Sequence, residues 1–345
     1  MAFAFKSPDV WRRAKTVIFW ISEKLKHGLA TMLFMVLVWP VGQAQAETMK
    51  IDSPISPLVK PATLDADKVA LGRKLFFEPR LSSDNSISCA HCHDLAQGGG
   101  DGSKFSFGVN GAEGGMNSPT VYNAGLNVAQ FWDGRATSLE EQVNGPTHNP
   151  VEMNSDWKTI ITKLKNDSEY NRLFDGLYKQ GINADNIRDA IATFERSLVT
   201  INSPFDRYLL GDNSAISAKQ KQGYALFVNY GCTSCHQGAN VGSNMFEVLG
   251  VFDDYFRKRG HINNNDFGRF NVTGNEEDKY KFKVPSLRLV TLTAPYFHDG
   301  SVETLDEAVQ KMAYFQLGRR IPKADVEAII AFLESLVGEL DSQTP

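Results

Sequence analysis

The sequence predicts an all-α protein of two similar domains with long loops and little strand. Three observations carry this. Two C-x-x-C-H units occur, Cys89/Cys92/His93 and Cys232/Cys235/His236. A stretch of the chain repeats without gaps at a constant offset of 166 residues. Each copy closes in an amphipathic helical phrase, "IRDAIATFERSL" at 187–198 and "VEAIIAFLESL" at 326–336, apolar at three- and four-residue steps.

The N-terminus stands apart. Lys6, Arg12, Arg13, Lys15, Lys24 and Lys26 precede an apolar run whose 13 residues from Leu29 to Val41 fall short of the ~20 needed to span a bilayer. "AQAE" follows, with Ala44 and Ala46 suited to an A-x-A cleavage site. Residues 1–46 read as an export signal, an uncleaved anchor being the alternative; the mature protein is expected in the periplasm. Removing six basic and two acidic side chains takes the net charge from −4 to −8. An acidic chain argues against nucleic acid as partner and suits a basic protein partner.

All four cysteines fall within the two C-x-x-C-H units. In an exported protein two disulfides are the ordinary reading, yet a two-residue spacing closes a small loop and gives no reason for a His after each second Cys. Four thiolates also suit zinc, which again would not need both histidines. The pentapeptide fits covalent haem attachment, each thiol adding across a vinyl group while the adjacent His ligates the iron. Cys89, Cys92, Cys232 and Cys235 are thus candidate attachment points for two haem c, with His93 and His236 as axial ligands. His91 reads as a solvent-facing spacer. The domains are then cytochrome-c-like: 47–203 around the first haem and 204–345 around the second.

The repeat aligns "SPTVYNAGLNVAQFWDGRATSLEEQV" (118–143) on "VPSLRLVTLTAPYFHDGSVETLDEAV" (284–309). Glycine-rich loops over 97–115 read as covers for a haem edge rather than core elements. Differences between the copies are where function is sought. Met312 falls at the offset position of Pro146; a thioether ligates iron and raises its potential, and proline cannot. The second haem is therefore expected six-coordinate through His236 and Met312, the first open opposite His93. The first copy alone carries "NPVEM", and Gln142 stands where the second has Ala308. Glu152 over an open iron suits proton transfer between the oxygens of a peroxide, with Gln142 as its hydrogen-bonding neighbour. Trp132, replaced by His298 in the second copy, is a candidate link between haems.

Taken together, "CAHCH", "MNSPTVYNA", "QFWDGRATSLEEQ", "NPVEM", "CTSCH", "FKVPSLR", "TAPYFHDGS" and "KMAYFQLGR" resemble the bacterial di-haem cytochrome c peroxidases over about residues 65 to 337. The resemblance implies reduction of hydrogen peroxide to water, with electrons from a small cytochrome c or cupredoxin. It makes the N-terminal haem peroxidatic, with Glu152 and Gln142 catalytic, and the Met312 haem the electron entry, with Trp132 between them. It also implies a calcium ion held by Asn117 and the carbonyls of Thr293 and Pro295, and it admits a homodimer. One position departs from the pattern. Where many members carry a loop histidine that caps the resting peroxidatic iron, this chain has Val109, and no His occurs between His93 and His148. The iron is then expected open or water-bound even when oxidised, His148 being the substitute ligand to test. Rival readings are a MauG-like enzyme that oxidises a partner protein, whose members place Tyr at the Met312 position, and a non-catalytic di-haem electron carrier.

Overall fold

The computed structural model describes residues 53–60 and 63–340, so the export segment 1–46 lies outside the described residues. The architecture is mostly helical. Its named strands are two three-residue segments, Phe246–Val248 and Lys281–Lys283, paired antiparallel with Phe246 opposite Lys283.

Each half is organised by a crossed helix pair. In the first, Ala66–Phe76 packs on Ala184–Ser197, and in the second, Ala218–Tyr230 packs on Lys323–Glu334. Gly72 and Gly223 sit at the two crossings: a Cβ on Gly72 would strike the carbonyl of Ala190, and one on Gly223 that of Ala328. Phe194 and Phe332 then fill the same place beside each glycine. Asp65 caps the first helix, accepting from the amides of Asp67 and Lys68, and Ser217 forms a capping box with Gln220. The third helix stops at Gly231 in the left-handed region, φ 95°, which delivers Cys232 at the very next residue.

The repeat recurs as backbone geometry. Asn123 and Leu289, Phe131 and Phe297, and Gly134 and Gly300 all take positive φ, and the members of each pair stand 166 apart. Bridges join Gln130 to Ala136 and, at the same offset, Tyr296 to Val302. Ser138 and Thr304 cap the helices that follow.

Apolar cores form under each half. Leu71, Leu75, Ile87, Val109, Val143, Met153 and Ile187 make one, and Phe205, Phe227, Val241, Ile329, Phe332 and Leu333 another. Each fully buried side chain of this size contributes roughly 1.5–3 kcal/mol. The segment 53–58 is stitched into the second half: Ser53 Oγ meets the Tyr224 hydroxyl at 2.5 Å, Gly238 N donates to Pro54 O at 2.9 Å, and Leu58 N donates to Asp206 Oδ1 at 3.1 Å. Asp206 is also gripped by the fully buried Arg288, at 2.9 and 2.8 Å.

Candidate functional site

Two cavities face the C-x-x-C-H units, one unit to each. Cys89, Cys92 and His93 line the first, of about 360 Å³. Cys232, Cys235 and His236 line the second, of about 250 Å³. The cysteines are free thiols. Their separation into two cavities rules out a shared four-thiolate zinc site, and a disulfide joins neither pair. Burial pushes the Cys92 and Cys232 thiols up to about 11 and Cys89 higher still.

The histidines are set for ligation. His93 Nδ1 lies 3.2 Å from the carbonyl of Gly99, and His236 Nδ1 lies 3.3 Å from that of Val241. Donation to a carbonyl fixes the tautomer and leaves Nε2 as the basic nitrogen. Burial holds both rings neutral, His236 down to about 4. His91 is exposed, as its spacer reading expects. The thiol pair, the oriented imidazole and the cavity beside them fit a covalently attached haem in each half.

Opposite chemistry lines the two cavities. Met312, on the Leu305–Leu317 helix, lines the second, and Pro146 lines the first. Glu152 and Gln142 both line the first, in which Asn149 Nδ2 donates to Glu152 Oε1 at 2.6 Å. Burial raises the Glu152 carboxyl above its ordinary value, opposed by the Asn149 bond and by the charge of Arg135. Arg135 lies over the Phe131 ring at 3.5 Å and lines the same cavity.

Val109 is buried among Val143, Met153 and their neighbours, and its amide donates to the Glu152 carbonyl at 2.8 Å. It does not line the cavity, whereas Gly108, Gly114 and Gly115 of the same loop do. His148 is exposed, with Nδ1 2.8 Å from Asn144 O and its ring edge-on to Trp157, and lines neither cavity. The structure therefore does not bring His148 to the first site.

Trp132 lines both cavities, its indole N–H donating to Asn117 O at 2.9 Å. Asn117, Thr293 and Pro295 all line the second cavity, and Asn117 lines the first as well. Asn117 Nδ2 donates to Ser103 O at 2.9 Å.

Two residues not singled out in the sequence belong to these cavities. Lys283 lines both of them, and Glu195 lines the first. Each left a faint signal. Lys283 is a charge inside the apolar phrase "FKVP", and Glu195 stands in an amphipathic helix where the matching phrase has Leu333. Glu195 is buried, its Oε2 has no hydrogen-bond partner, and burial raises its carboxyl to about 8.

Fold and site together define a mostly helical protein built around two separate cofactor cavities. Residues 66–214 match the family model described as di-haem cytochrome c peroxidase. The chain is 51% identical over 288 residues to the cytochrome c peroxidase of Escherichia coli strain K12, covering 83% of this chain and 62% of that protein. It is 43% identical to the cytochrome c551 peroxidase of Nitrosomonas europaea, covering 86% of this chain and 87% of the relative. A solved MauG-like protein associated with microbial copper homeostasis superposes with TM-score 0.71 at 26% identity, covering 84% of this chain and 94% of that one. The chain belongs to the di-haem cytochrome c peroxidase family. That family implies two c-type haems.

Proposed function

We propose that the protein reduces hydrogen peroxide to two waters in the periplasm, taking two protons from solvent and two electrons, delivered singly, from a small cytochrome c or cupredoxin. One observation carries the reading. Glu152 shares a cavity with His93, Cys89 and Cys92, and Pro146 stands there where the other cavity has Met312.

Cys89, Cys92 and His93 would hold a haem in the first cavity, where it would supply redox chemistry for splitting an O–O bond. The chain supplies the proton path. Glu152 Oε1 is engaged by Asn149, and Oε2 would be the oxygen to take a proton from one end of a peroxide and return it to the other. A carboxyl raised by burial suits both directions of that exchange. Gln142 adds an amide to the same wall, and Arg135 restrains the Glu152 pKa. In the second cavity His236 and Met312 would hold an electron-transfer haem, and Trp132 lines both cavities. Asn117, Thr293 and Pro295 offer the oxygen donors a calcium ion takes. Val109 in the core and His148 on the surface support a first site that is open in the oxidised protein.

Steady-state turnover of peroxide with a reduced small cytochrome tests the reading. Glu152→Gln is expected to lower kcat by about 10²–10⁴. Equal turnover in both removes Glu152 from the mechanism. No turnover in wild type favours an electron carrier. A low-spin, bis-His first haem in the oxidised protein counts against the open site.

A further inference from the structure

Lys283 ends the Lys281–Lys283 strand, and its side chain is only 7% exposed. Its side chain makes no hydrogen bond or ion pair among the described residues, and burial alone lowers its pKa to about 8. This is unlike the buried Arg288 and the half-buried Arg259. Arg288 is matched by Asp206, and Arg259 by Asp266 and Asp299. An isolated ammonium is costly to bury unless an anion meets it.

The location narrows the anion. Lys283 lines both cavities, and its amide is fixed to the Trp132 carbonyl at 2.8 Å. Each haem c is tethered by its vinyl edge to a C-x-x-C pair and carries its propionate carboxylates on the edge away from that tether. Lys283 is thus on the lining of both cavities. At the 166 offset Lys283 takes the place of Asn117, so the repeat carries a cation in one copy and a neutral amide in the other.

We propose that the Lys283 ammonium is a shared counter-cation for the propionates of both haems, and a positioning residue that sets their potentials together. A positive charge beside a haem favours the reduced iron, so its loss makes both harder to reduce. The inference rests on the two-haem reading and deepens it.

The test uses the full haem-loaded chain. A pyridine haemochrome assay first counts haems per chain, and a count of one overturns the two-haem reading itself. With two haems present, spectroelectrochemical titration is run on wild type, Lys283→Gln and Lys283→Arg. Lys283→Gln is expected to weaken electron binding at both haems about tenfold, a fall of about 59 mV in each midpoint. Lys283→Arg is expected to hold both midpoints near wild type. A shift confined to one haem, or none, overturns the shared role while leaving the two-haem reading intact. Should Lys283→Gln fail to retain both haems, Lys283→Arg decides. Retention with both midpoints held supports the proposal, and a defect equal to that of Gln overturns it.

Discussion

The amide of Lys283 donates to the carbonyl of Trp132 at 2.8 Å, and the amide of Asn117 donates to the carbonyl of His298 at the same 2.8 Å. Lys283 is the repeat partner of Asn117, and His298 that of Trp132. The contact is thus reciprocal: each copy lends its amide to the other copy's aromatic position, as across a two-fold axis. Duplication preserved the exchange while changing every side chain in it.

Trp132 is held at both ends, by Lys283 on its carbonyl and by Asn117 O on its indole. Trp132→Phe keeps the first bond and leaves the Asn117 carbonyl without its partner. A loss of about 1–3 kcal/mol in chemical denaturation is expected, together with slower turnover from a pre-reduced second haem in stopped flow. Unchanged turnover would remove Trp132 from the electron path.

Met312→Leu nearly conserves volume, so stability should change by less than about 1.5 kcal/mol. The thioether is lost. The optical spectrum of the second haem should lose its Met-ligated character and its midpoint should fall, with the first haem's bands unaltered. A change at the first haem instead would reverse the assignment of the two sites.

Glu195 gives a signed pH effect. Its folded-state pKa of about 8 lies above the ordinary 4.5, the cause being burial, with Arg196 opposing and Glu140 reinforcing the shift. Below about pH 4.5 both states hold the proton and this stability is fully present. As pH rises through 8 the unfolded state has released its proton first, and a few kcal/mol are lost. Glu195→Gln should flatten the fall in denaturation midpoint between pH 5 and 8. Parallel curves for the two proteins would show that this carboxyl is not held neutral.

Arg288 and Asp206 are both almost fully buried and paired in a fork. Asp206→Ala should destabilise by about 3–5 kcal/mol, because it leaves the guanidinium buried and uncompensated. Asp206 also receives the Leu58 amide, so proteolysis within residues 53–60 should quicken in the same variant. An intact segment under limited proteolysis would separate the two effects.

Much of the site was legible because its signals are local or phased by the repeat. C-x-x-C-H is contiguous, and an offset of 166 exposes Met312 against Pro146 and Gln142 against Ala308. Glu152 lay just beyond a break in that alignment. Lys283 and Glu195 were only faintly legible, because what distinguishes them is burial, a product of packing between distant segments. His148 follows the same rule in reverse. Sequence supplied an imidazole at plausible spacing, but its bond to Asn144 and its contact with Trp157 turn it to solvent. The crossings at Gly72 and Gly223 required the partner helix to be seen.

The stitch of residues 53–58 onto Asp206, Tyr224 and Gly238 bears on biogenesis. These residues leave the ribosome before their docking site has been made. They wait, unsatisfied, while more than a hundred residues of the first repeat follow them. Maturation therefore cannot run to completion one repeat at a time. The leading strap latches only once the trailing repeat has taken shape.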